Sequence, residues 1–431
     1  MQGSTSAGQF VFEQQAAEAV PSVLYDEHVK LTGKSHIAAF AGYLMPLWYS
    51  AIAEEHRAVR EKAGLFDCTH MGVLEVSGPD AGGFLEVVST NRILDLKVGR
   101  AKYGYILDAA GNVLDDIIVY RRGDSRFMVV VNAANEPKIK CYLSELQAGR
   151  TVVDTDKSPW AAKLPDLKVS IRDMRDANLP GDCRVDLALQ GPASIDTLAK
   201  LADAPALGRI SGLKSFGLTD ERLGGIDCLI CRTGYTGSSA GVELLVDPSQ
   251  AARLWNLVLE AGKPLGVVPC GLGARDSLRI EAGLPLYGHE LAGKFNLSPF
   301  EAGYGWAVKL DKEFFIGKAA MQRVAQTYNM EVARVELPGT RGVRPIRQED
   351  PLLGEQGECV GWVLSAAKVE DKQVALVYID RKAAIEGTRL GAYYLARSVS
   401  QAEQGRKQVA EKGQKLEADL AGMVVSRFAR F

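Results

Sequence analysis

The chain has 431 residues, 47% hydrophobic and 24% charged, the composition of a soluble globular protein; at ~150 residues per domain it suits about three domains, each with its own core. Lys plus Arg number 51 and Asp plus Glu 53, so the chain lacks the basic excess of a general nucleic-acid binder, while a local basic pocket for a small anion stays open. No run approaches the ~20 apolar residues of a membrane helix, Met1 to Asp26 carries no Lys or Arg of a signal or transit segment, and seven scattered cysteines point to reduced thiols and a cytoplasmic protein.

In chain order, residues 1–23 form a polar, poorly patterned tail. Ser50 to Ala63 has helical composition, and Gly64 follows as its stop. Strand-like runs come next at Val73 to Val76, Val113 to Tyr120 and Phe127 to Asn132, with a turn at Asp108 to Asn112. Asp154 to Asp182 is rich in acids, bases and prolines and predicts a surface insertion. Strands at Val185 to Gln190, Cys228 to Arg232 and Val242 to Val246 precede a helix that opens on Asp247-Pro248 and ends at Gly262. Strands and helices mix without regular βαβ alternation, which predicts an α+β fold. Beyond Val332, short β runs (Val332 to Leu337, Cys359 to Leu364, Val374 to Ile379, Met423 to Phe428) predict a C-terminal β-barrel-like domain, with Ser398 to Glu417 a solvated helix or loop in it.

Two adjacent acids interrupt the apolar strand Val113 to Tyr120. Alternation puts Asp116 on the side of Leu114, Ile118 and Tyr120, and Asp115 on the other, so the two do not share one pocket as a dyad. Such acids either cap the preceding turn or look into a polar cavity, where desolvation gives the placement a reason. Glu243 likewise interrupts an apolar strand, after Arg232-Thr-Gly-Tyr-Thr-Gly237, whose glycines allow a tight turn that presents Tyr235. Arg275 and Arg279 fall on one helical face, suited either to a carboxylate or phosphate or to ion pairs with Asp276 or Glu281. Cys228-Leu-Ile-Cys231 predicts buried structural thiols, and the five histidines show no metal-ligand spacing. Gly237-Ser-Ser-Ala-Gly241 matches a nucleophile elbow only formally, because it leads into a strand. No P-loop or G-x-G-x-x-G is present.

Several of these segments occur in one order: Ala39-Phe-Ala-Gly42 with Met45-Pro46, Leu65-Phe-Asp67 with His70-Met-Gly72, Val113 to Tyr120, Val131-Asn-Ala-Ala-Asn135, Leu189-Gln-Gly-Pro192, Arg232 to Gly237, Cys270 to Asp276 and Leu286-Tyr-Gly288. Together they resemble the aminomethyltransferase of the glycine cleavage system, the T-protein, and its folate-dependent relatives. The resemblance implies a three-domain cloverleaf around a central folate channel, with boundaries here at 24–150 (completed by part of 270–330), 151–330 and 331–431. It implies transfer of a one-carbon unit from the aminomethyl-lipoyl arm of the H-protein to tetrahydrofolate, with release of ammonia and no metal. By motif, Asp116 matches the catalytic carboxylate, Glu243 the pterin-binding acid and Arg275 a folate- or substrate-binding arginine, while Tyr103, Tyr120, Asn132 and Tyr235 match pocket-lining positions. A fixed, desolvated carboxylate suits this chemistry because the moving carbon is cationic in transit. The chain departs from the family in the loop Thr236 to Glu243, in the Asp154 to Asp182 insertion and at Leu364 to Glu370. The altered C-terminal stretch motivates the alternative of a tetrahydrofolate-dependent demethylase of a small methylated N-, O- or S-compound.

Overall fold

The computed structural model describes residues 8–14, 17–154, 167–176, 178, 181–429 and 431. The expected tail and insertion therefore lie partly outside the described residues. The chain divides into two compact units: residues 1–234, 238–272 and 306–323, and residues 235–237, 273–305 and 324–431.

The first unit is built on two large sheets, beside a small one of Val20–Pro21, Tyr43–Pro46 and Ile37–Phe40. One is five-stranded and antiparallel, in the order Arg100–Leu107, Val113–Gly123, Arg126–Val131, Gly72–Ser77 and Ser170–Asp173. Its outer face packs on the helices Ala81–Val88 and Glu136–Gln147 through Leu74, Phe84, Leu85, Ile117, Val119, Phe127, Ile139 and Leu143. The other is six-stranded, in the order Leu218–Leu223, Ile226–Cys231, Gly241–Val246, Val185–Gln190, Ala63–Asp67 and Val267–Cys270. The helix Ala251–Gly262 covers its outer face with Leu254, Trp255 and Val258. The inner faces of the two sheets meet in a third cluster, where Val73, Ala101, Tyr120 and Met128 pack against Leu229, Cys231 and Leu245. Each large side chain buried there contributes about 1.5–3 kcal/mol. Backbone bonds from Ala101 N to Phe216 O (2.8 Å) and from Leu218 N to Gly99 O (3.1 Å) tie the sheets edge to edge.

The second unit holds a closed six-stranded barrel, in the order Met330–Pro338, Lys372–Asp380, Cys359–Val369, Pro351–Leu353, Arg389–Ala392 and Leu420–Val425. Closure leaves no free sheet edge. The α+β class and the C-terminal barrel both agree with expectation.

Some local readings are corrected. The first predicted helix is shorter, Ile52–Glu61, and Gly64 is no stop but the second residue of a fully buried strand. A Cβ there would overlap Cys270 Sγ and Val59, so close packing calls for glycine. The final strand runs Leu420–Val425, not to Phe428. Arg334 Nε draws Ser426 O out of the ladder (2.8 Å), and Arg427 folds back on Gly283 O. The described part of the 154–182 segment is no mere surface loop: Ser170–Asp173 extends the five-stranded sheet, and Arg175 donates to Tyr43 Oη (2.8 Å) and Glu136. The described tail residues Val20–Pro21 pair in parallel with Tyr43–Leu44. Cys228 and Cys231 are buried free thiols, as the apolar strand suggested.

Candidate functional site

The acidic pair lies where the strand Val113–Gly123 passes the end of its neighbour Arg126–Val131. Tyr103 stands opposite Ile118, two residues from Asp116. From that diagonal cross-strand position its hydroxyl donates to Asp116 Oδ2 at 3.0 Å. Asn132 follows the last residue of its strand, and its Nδ2 donates to Asp116 Oδ1 at 2.8 Å. Asp116 is half-buried, and burial raises its pKa while the Tyr103 and Asn132 donors oppose the rise. The turn before the strand is closed by Asp108, whose Oδ1 accepts from Asn112 N (2.8 Å). The acids therefore do not serve as its cap.

One expectation about this pair fails. Leu114 packs in the helix-side core and not beside Asp116. The ladder shifts register here, with Ile106 opposite Asp115 but Leu107 opposite Val113. Leu114 is thereby left as the extra residue of a bulge. The two acids are not independent, because Asn132 Nδ2 donates to Asp115 Oδ1 as well, again at 2.8 Å.

Tyr103 is held from behind. Its carbonyl accepts from Asn91 Nδ2 (2.8 Å), and its ring lies 5.8 Å from that of Trp306. Lys312 fixes the Asn91 loop by donating to Ser89 O (2.7 Å) and Asn91 O (2.9 Å). Burial pushes this lysine down to about 8.

A second acidic centre sits between the two sheets. Glu243 shares the inner face of its strand with Leu245. Its Oε2 accepts from Thr233 Oγ1, and from Tyr120 Oη at 3.3 Å; the two hydroxyls are themselves 3.2 Å apart. Burial, then the Glu243 charge, drives the Tyr120 phenol well above its ordinary value. Tyr120 is thus a neutral donor. Gln190 fixes the loop between the strands by donating to Thr233 O (3.3 Å) and Val242 O (3.2 Å). Gly234 and Gly241 lie so close to its amide that a Cβ on either would overlap it.

The structure brings Asp116, Tyr103 and Asn132 together, and separately Tyr120 and Glu243. Tyr235 and Arg275 belong to the second unit, where the Arg275 guanidinium stands 5.1 Å over the Tyr235 ring and Tyr235 Oη donates to Pro285 O at 2.5 Å. Arg279 does not pair with Arg275 as an anion fork. It is buried, donating to Glu290 (2.6 Å), Asp276 (2.8 Å) and Ser365 Oγ (2.9 Å). Ser365 lies in the divergent stretch Leu364 to Glu370, which the structure shows to be barrel strand. Thr233, Asn135 and Gln190 were not singled out from the sequence, although each lies inside one of the ordered motifs.

The chain matches the model of the GCVT N-terminal domain over residues 24–312. The aminomethyltransferase of Streptomyces avermitilis is 41% identical over 354 residues, covering 81% of this chain and 87% of that one. The aminomethyltransferase of Symbiobacterium thermophilum is 40% identical over 373 residues, covering 85% and 91%. The crystal structure of glycine cleavage system aminomethyltransferase T from Bartonella henselae aligns with a TM-score of 0.73 at 29% identity, covering 95% of this chain and 97% of that one. With two thirds of its length matched by the family model, two relatives near 40% identity and the barrel and acidic strand in place, the chain belongs to the aminomethyltransferase family of the glycine cleavage T-protein, and it is a transferase.

Proposed function

We propose that the chain transfers a one-carbon unit from the aminomethyl-lipoyl arm of an H-protein to tetrahydrofolate, releasing ammonia. The observation that carries the reading is Asp116: a half-buried carboxylate held by two donors, Tyr103 and Asn132. A carboxylate so fixed stabilises positive charge on a carbon in transit and can accept a proton. Folate supplies the nucleophilic amine that receives the carbon. The donor set on the protein suits it, because a pterin edge offers N–H groups to an acceptor such as Glu243, whose partners Tyr120 and Thr233 orient it. Arg275 is assigned to the anionic part of folate or substrate, and Tyr235 to the pocket lining beneath its guanidinium.

Within this reading, 24–150 (completed by part of 270–330), 151–330 and 331–431 are the three domains of the chain. Seven free thiols suit a cytoplasmic setting, and no helix of the described residues is long and apolar enough to cross a membrane. The test is reconstitution with lipoylated H-protein carrying the glycine-derived aminomethyl group. Formation of 5,10-methylenetetrahydrofolate supports the reading. Folate binding without that turnover transfers the assignment to the demethylase alternative, which is then assayed with small methylated amines, ethers and thioethers.

A further inference from the structure

Asp115 is fully buried, and both of its carboxylate oxygens accept hydrogen bonds. Oδ2 accepts from Asn132 N at 2.9 Å. Oδ1 accepts from Asn132 Nδ2 at 2.8 Å and from Asn135 Nδ2 at 2.6 Å. Burying a carboxylate this deeply costs several kcal/mol, and a purely structural anchor for the turn Ala133–Asn135 could be neutral. What the carboxylate does that an amide cannot is accept on both oxygens. That fixes Asn132 at its backbone and its side chain at once, and the same Nδ2 then reaches Asp116 Oδ1 at 2.8 Å.

We infer that Asp115 is a positioning residue for the reaction: accepting on both oxygens from Asn132 and Asn135, it orients the Asn132 amide onto Asp116 and so links the two carboxyls through one side chain. Its role in catalysis rests on the folate reading above; the linkage itself does not. Two carboxyls joined through one amide titrate as a pair. Burial, then the Asp116 charge, raises the Asp115 pKa, and the Asn132 and Asn135 donors oppose the rise. Tyr103 donates to Asp116 from the neighbouring strand, and Lys138 on the helix Glu136–Gln147 is lowered by burial and raised by Asp115.

The linkage is tested on the full wild-type chain by carbon NMR titration of the aspartate carboxyls, which needs neither donor nor folate. Both carbons are expected to report both steps, with the upper above the ordinary carboxylate range. Asn135→Ala removes a donor that favours the charged form, so it moves the upper step to higher pH. A single step for Asp115 at an ordinary carboxylate pH overturns the inference. Asp115→Asn sets an NH2 against one of the three donors and releases Asn132. It is expected to lower kcat by at least ~10-fold with the KM for tetrahydrofolate within about threefold, and to abolish the upper step. Wild-type kcat in this variant, or folate binding lost in parallel with kcat, overturns the positioning role. If the variant does not fold, the wild-type and Asn135→Ala titrations decide. Failure of the H-protein assay beside a linked titration removes only the assigned reaction.

Discussion

Replacing Arg279 with Met tests the energetics of the helix Leu272–Ala282. The guanidinium is 1% exposed and its partner Glu290 is 0% exposed. Removing the arginine leaves that carboxylate buried with one donor, Leu286 N at 3.1 Å. Breaking a buried pair by deleting one member costs about 3–5 kcal/mol. The Asp276 contact adds little, because its side chain is 52% exposed and rehydrates, as surface pairs worth ~0–1 kcal/mol do. The loss therefore comes almost wholly from Glu290. Adding Glu290→Gln keeps an oxygen for Leu286 N and drops the stranded charge, so the double variant regains at least about 2 kcal/mol. Urea unfolding measures both, with hydrogen exchange at the Leu284 and Leu286 amides to separate local opening from global loss. A cost below ~1 kcal/mol for Arg279→Met, or a double variant less stable than the single, refutes the argument.

Further consequences concern the two acidic centres. Tyr103→Phe deletes a donor that favours the ionised form of Asp116. The carboxyl pKa then rises, and activity is lost at a higher pH on the acid side; a pH–rate profile with an unmoved acid limb contradicts the Tyr103–Asp116 bond. Gly234→Ala drives a Cβ into the Gln190 amide and displaces Thr233 from Glu243. Folate affinity measured by calorimetry is expected to fall at least ~10-fold, the scale of one lost charge-assisted hydrogen bond, and an unchanged affinity removes Glu243 from the folate site.

Much of the scaffold was legible because its signals are local. The strand Val113–Gly123, the strand Gly241–Val246 and the helix after Asp247 all declare themselves by apolar runs, turn residues and a capping acid. The strand Ala63–Asp67 did not, because it is buried throughout, lacks alternation, and begins on an Ala-Gly that mimics a helix end. The acids Asp116 and Glu243 stood out as charges in apolar strands, a pattern visible within ten residues. Their partners are long-range. Tyr120 reaches Glu243 from the other sheet, 123 residues away, and the use of Arg279 is decided by Glu290 and by Ser365, 86 residues away. The linkage of Asp115 to Asp116 was hidden for the same reason. It runs through Asn132, 17 and 16 residues further along the chain, while the bulge at Leu114 explains only why Leu114 leaves the side of Asp116.

The most direct measurement is made on Asp116→Asn. The amide keeps the shape of the side chain and removes its charge. Folate binding and methylenetetrahydrofolate formation from the H-protein-bound donor are measured on the same preparation. Folate affinity should stay within about threefold while turnover drops at least ~100-fold. Turnover within a few-fold of the unaltered chain contradicts the assignment of this carboxylate to the moving carbon.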